Sequence, residues 1–185
     1  MLSSGDNAEE DSLTHSHQLA LGASRSLLLI GRALNLIAGV ALLAALVASF
    51  VFEPAFRDFF TKRPPRVDPG LLLPVLRVWM LLALPIFAAV HVMISRLLDM
   101  VATVRAGDPF VPENAARLKT IAWLMLVMEL FHLLCGVMAA AMNAAGSHIN
   151  WSFSATGWVA VALLFVLAQV FEQGTRIRAD LEAMI

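Results

Sequence analysis

The chain has 185 residues and a mean hydropathy of +0.78, with 59% of its residues apolar (AVILMFWYC) and 15% charged. Soluble domains run about 45–50% apolar and roughly 25% charged, so too few polar side chains are present here to coat a water-soluble globule. A formal net charge of −1 argues against direct nucleic-acid binding, which needs a basic face, and the single cysteine, Cys135, excludes an intramolecular disulfide framework. The class left is a polytopic membrane protein, with the lipid bilayer as its first partner.

About 20 helical residues cross a hydrocarbon core of about 30 Å, and four stretches qualify. The predicted spans are 27–52, 71–95, 121–142 and 152–171. None shows the period-2 alternation of a membrane barrel strand. The expected fold is all-α, a four-span transmembrane helix bundle occupying 25–173. Residues 1–24, rich in Ser, Asp, Glu and His, read as a disordered polar tail. The first apolar run exceeds the 7–15 residues or so of a signal h-region and follows an acidic segment, so it is not expected to be a cleaved leader.

Lys and Arg set the orientation. Arg25, Arg32, Arg96, Arg105, Arg117, Lys119, Arg176 and Arg178 fall on one side, against Arg57, Lys62, Arg63, Arg66 and Arg77 on the other. The excess places both termini in the cytoplasm and the 143–151 connection outside. Trp151 and Trp158 then fall in the outer aromatic belt and Trp123 near the inner one.

The second helix does not stop at the membrane. Leu97, Leu98, Val101 and Val104 continue its apolar stripe, Gly107 supplies a left-handed C-cap, and Asp108-Pro109 ends it. The next helix begins near Pro112, where a missing N–H costs nothing, and Glu113 complements the helix dipole. Helices 2 and 3 are therefore expected to protrude as a cytoplasmic hairpin capped by 107–111. Pro74 and Pro85 are expected kink points. The 174–185 tail has an amphipathic helical pattern with Glu172/Arg176 and Arg178/Glu182 pairs, suited to docking on that hairpin.

The segment Ala106-Gly107-Asp108-Pro109-Phe110-Val111-Pro112-Glu113-Asn114-Ala115-Ala116-Arg117-Leu118, running into Ile121-Ala122-Trp123, resembles the signature of domain of unknown function 2975. So does the ending, Phe171-Glu172-Gln173-Gly174 through Ile177 to Leu181 and Ile185. The tail departs from the family's usual Glu-Gln-Asp-Leu-Thr-Ile, reading Asp180-Leu181-Glu182-Ala183-Met184-Ile185. The resemblance, covering roughly 27–185, implies a small four-span bacterial membrane protein encoded beside a small helix-turn-helix regulator. It implies no catalytic residue.

Arg77, Glu129 and His132 form the candidate intramembrane polar cluster. Glu129 and His132 share a face at i,i+3 near the middle of the third span, and ionisable groups there are functional candidates by default. The readings are a structural pair of Glu129 with Arg77 or a protonated Glu129, a proton or ion pathway, and a metal site. The metal site lacks the second Glu-x-x-His that bundle metal sites use. His91, near the cytoplasmic end of the second span, reads as bonded to a backbone carbonyl rather than as a ligand, and His15-Ser16-His17 as an incidental chelator. Met125, Met128, Met138 and Met142 read as core filling rather than copper ligands. Small residues at Ala41, Ala45, Ser49, Gly136 and Ala140 suit close packing, within the bundle or in a homo-oligomer. No phosphate loop, nucleophile elbow or paired-carboxylate site is present, so neither an enzyme nor a cofactor is expected. The candidate docking residues are Asp108, Phe110, Glu113 and Asn114, with Phe110 either packed under the hairpin or anchoring a partner. The leading expectation is a membrane protein that binds or restrains a cytoplasmic helix-turn-helix regulator. The alternative is a small transporter or channel-like subunit using Arg77, Glu129 and His132.

Overall fold

The computed structural model describes residues 4–62, 69–144 and 149–183. Five helices follow one another: α1 (Ser4–Val51), α2 (Glu53–Lys62), α3 (Pro69–Arg105), α4 (Pro112–Ala144) and α5 (Ala155–Glu182), with no strand among the described residues. Four of them are long and apolar enough to cross a membrane, over Leu21–Val51, Leu73–Arg105, Pro112–Ala141 and Ala155–Leu181. The all-α class and the four expected spans are thus present.

Several boundaries differ from expectation. Helix α1 begins at Ser4 and so takes in most of the stretch expected to be disordered. No proline interrupts residues 4–51, and glutamate, leucine and alanine, good helix formers, recur from Ala8 onward. Helix α3 carries Pro74 and Pro85, the two expected kink points, inside it. Helix α5, the fourth span, starts at Ala155 rather than 152, and the Ser154 side chain there accepts a hydrogen bond from the Gly157 N–H at 3.2 Å. Helix α2 was not expected at all. Its signals are a Glu53-Pro54 start and the i,i+4 pairs Glu53–Arg57 and Asp58–Lys62, both formed. Arg63 and Arg66 of the basic cluster, the middle of the 143–151 connection, the side chains of His15, His17 and Met142, and Met184 and Ile185 lie outside the described residues.

The chain divides into two compact units, Leu27–Ile94 and the combination of Met1–Ser26 with Ser95–Ile185. In the first, α1 and α3 approach where Gly39 leaves room for the Phe87 side chain, 3.7 Å from where a Cβ would stand. Asn35, a polar break in an apolar run, donates to the Phe87 carbonyl at 3.0 Å, so its burial costs little. Leu46, Ser49 and Leu73 are buried in this unit. In the second, α4 and α5 pack along one another around Ala115, Leu118, Ile121, Ala122, Ala139, Val161 and Ala168. Trp123 meets Phe165 edge-on at 5.3 Å. Small residues at this seam let the two helices approach closely.

Candidate functional site

The hairpin forms as expected. Gly107 has φ +83°, its N–H bonds the Val104 carbonyl and the Asp108 N–H bonds the Thr103 carbonyl, each at 3.1 Å. That 5→2 plus 6→1 pair is a Schellman ending, and it needs the left-handed residue that glycine supplies without a Cβ penalty. Helix α4 then starts at Pro112 with Glu113 in its first turn.

The structure turns one expected docking residue inward. Asn114 is fully buried and donates to Thr103 Oγ1 at 2.7 Å and to the Pro109 carbonyl at 2.9 Å. Its own side-chain oxygen accepts from Arg117 Nη1 at 2.8 Å, and Arg117 Nε stands 4.0 Å from Asp99. Asn114 is therefore the internal tie between α3, the turn and α4, with no face left for a partner. A buried amide is costly unless both ends are satisfied, and here they are.

Asp108 and Phe110 are both engaged by α5. Asp108 pairs with Arg178, and the Phe110 ring lies 5.5 Å from that of Phe171 at 33°. Gly174 leaves the space: a Cβ there would stand 3.1 Å from the Phe110 ring. The closing Phe-x-x-Gly is thus the receptacle for Phe110, and the tail does dock on the hairpin. Phe110 nonetheless stays 44% exposed, and Glu113 is exposed on the α4 first turn. Asp108, Phe110 and Glu113 therefore line an open ledge that α5 braces from beneath.

The intramembrane candidates fall in separate units. Arg77, in the Leu27–Ile94 unit, donates Nε to Ser49 Oγ at 3.2 Å and Nη2 to Glu53 Oε2 at 3.1 Å and to the Ser49 carbonyl. Its guanidinium also lies 4.1 Å above the Phe50 ring. It thus caps the last turn of α1, where a cation complements the helix dipole, and ties that turn to α2. Arg57 and Arg77 both bond the Glu53 carboxylate and hold it below the usual 4.5. Ser49, Phe50 and Glu53 were not among the expected partners of Arg77.

Glu129 belongs to the other unit. Its side chain is 15% exposed and lies against Gly157, so the carboxylate is level with the first turn of α5. Its Oε2 is buried with no hydrogen-bond partner among the described residues, and His132 Nδ1 stands 4.0 Å away. The Trp151 ring lies tilted at 40° against His132, 5.3 Å between centroids, and fills the space over Gly136. Residues 149–171, which include the stretch packed on Glu129, carry no charged side chain. His91 is half-buried on α3, and no group of three or more His, Cys, Asp or Glu suited to a metal occurs among the described residues.

No curated protein and no solved structure matches the chain. A family model does: the one described as Protein of unknown function (DUF2975) matches residues 60–185, a stretch that starts near the end of α2 and takes in the whole hairpin, its Asn114 tie and the Phe110 receptacle. The chain belongs to that family.

Proposed function

We propose that the protein is a non-enzymatic membrane protein whose Gly107 end receives a cytoplasmic partner, the small helix-turn-helix regulator that the family resemblance implies. The observation that carries this reading is the braced ledge. Phe110 is held by Phe171 and Gly174 yet remains 44% exposed, beside an exposed Glu113. A large ring fixed in place before binding loses little conformational freedom on docking, which is what anchor residues need. The excess of Lys and Arg on this side supports a cytoplasmic ledge. The test is co-expression with the neighbouring regulator and measurement of its retention on the purified protein. Glu113→Lys is expected to abolish retention while lowering the melting temperature only slightly, through the lost helix-dipole interaction. Undiminished retention in Glu113→Lys, and in Phe110→Leu, overturns the reading.

A second reading, a small transporter or channel-like subunit, is favoured by one observation: the Glu129 Oε2, buried with no hydrogen-bond partner among the described residues. Arg77 gives it no support, since its donors serve Ser49 and Glu53. Proton or ion flux into vesicles holding the purified protein, lost in Glu129→Gln, would establish this reading. Absence of flux would dismiss it.

A further inference from the structure

A groove of about 410 Å³ opens between α4 and α5 near the Gly107 end, within the roughly 300–1,000 Å³ range of ligand clefts. Its floor is made of small and apolar groups: Ala115 and Ala168 are buried there, and Phe165 lines one end. Lys119, Gln169 and Thr175 supply its polar edge. The groove coincides with the level at which both helices change character. On α4, Glu113, Asn114, Arg117 and Lys119 give way to an apolar run from Ile121, and on α5 the uncharged stretch ends at Glu172. In two helices that cross a bilayer, this is the headgroup depth.

The charges around the groove are unequal in their commitments. Arg176 bonds Glu172 at 2.7 Å, Arg178 pairs with Asp108, and Arg117 serves Asn114. The Glu172 carboxylate, which also lines the groove, is thereby offset by Arg176. Lys119 is exposed and makes no ion pair or hydrogen bond among the described residues. An uncommitted ammonium beside the Gln169 amide, at the edge of an apolar floor, is complementary to a phosphate joined to hydrocarbon.

We propose that this groove binds an anionic phospholipid of the surrounding bilayer, with the phosphate on Lys119 and an acyl chain running past Ala168 toward Phe165. The site is independent of the ledge, and it requires only that α4 and α5 span a membrane. Basic pockets between spanning helices are known to take acidic lipid headgroups, and basic side chains near the surface supply the attraction.

The experiment titrates the purified full chain in phosphatidylcholine micelles with phosphatidylglycerol and reads the melting temperature and the lipid retained after gel filtration. Phosphatidylglycerol is expected to raise the melting temperature, as any ligand selective for the folded state does. The rise is expected to be lost in Lys119→Gln and kept in Lys119→Arg. Ala116→Phe, a substitution at an exposed position lining the groove, is expected to reduce retention of either lipid. No preference for phosphatidylglycerol in the wild type, or a preference that survives Lys119→Gln, overturns the proposal. So does an equal rise with inorganic phosphate, which would mark a small-anion site. Should Ala116→Phe fail to fold, the Lys119 pair decides alone. Regulator retention is expected to be unaffected in Lys119→Gln, so failure of the lipid site and failure of the docking reading are told apart.

Discussion

Gly136 faces the Trp151 indole so closely that a Cβ built there would overlap the ring. Gly136→Ala must therefore push out a side chain that is only 36% exposed and that also lies against the His132 ring. If the ring were lost to water entirely, about two thirds of a surface of up to ~250 Å² would be uncovered, worth about 4 kcal/mol at ~25 cal/mol/Å². Partial displacement in a setting that offers lipid as well as water costs less, and overpacking typically costs about 1–3 kcal/mol. The background decides the interpretation. With the ring removed by Trp151→Ala, the same Gly136→Ala change keeps only its helix-propensity gain of about 1 kcal/mol. The substitution should thus destabilise the wild type and stabilise the Trp151→Ala protein. Thermal or denaturant unfolding in micelles, followed by circular dichroism, gives the four free energies of the cycle. Equal effects of Gly136→Ala in both backgrounds would refute the reasoning, since contacting residues should couple by about 0.5–3 kcal/mol.

Three further outcomes follow from the polar contacts. Asn114→Ala should cost about 2–3 kcal/mol by removing two donated bonds and stranding the Pro109 carbonyl. Thr103→Val should then add little in the Asn114→Ala background, which chemical denaturation would show. Asp108→Asn should change stability by only about 0.2–1 kcal/mol, because the Arg178 pair is exposed and screened. Phe110→Ala should cost more, and protease susceptibility of the tail reads the difference. Glu53 gives a pH dependence of known sign. Its folded carboxyl is held below 4.5 by Arg57 and Arg77, so its contribution is complete above that value and is lost as pH falls through the lower folded value. Melting curves taken from pH 6 down to pH 3 should show this acid limb, and Glu53→Gln should remove it.

What was legible in the sequence were features decided by neighbours in the chain. The four apolar runs, the Gly107 turn and the start at Pro112 depend on residues within a turn or two, and all are present as expected. Helix α2 is equally local, yet its ten residues are too short and too polar to carry the apolar run that marks the other four helices. The missed partners are non-local. Ser49 lies 28 positions from Arg77, and Arg178 lies 70 from Asp108. Nothing in the residues near Arg77 marks Ser49 as its acceptor; only the approach of α3 to the end of α1 does so.

Asn114 and Glu129 show how side-chain identity alone misleads about role. Both are polar groups in positions where a functional residue is the first expectation, and both are largely or wholly enclosed. For Asn114, the donors and acceptor are all answered, so its chemistry is spent on holding the hairpin closed. For Glu129, Oε2 has no such answer among the described residues, and α5 brings backbone and an uncharged surface against it. Structural polar residues are satisfied because an unsatisfied one is selected against by its cost. By that criterion the intramembrane cluster resolves into unlike members. Arg77 joins Asn114 among the residues that hold the fold, through Ser49, Phe50 and Glu53. Glu129, whose Oε2 accepts no hydrogen bond among the described residues, is the member for which the transport reading predicts an effect on function rather than on folding. A Glu129→Gln protein that melts like the wild type while altering flux would place it there, whereas a large loss of stability would return it to the structural class.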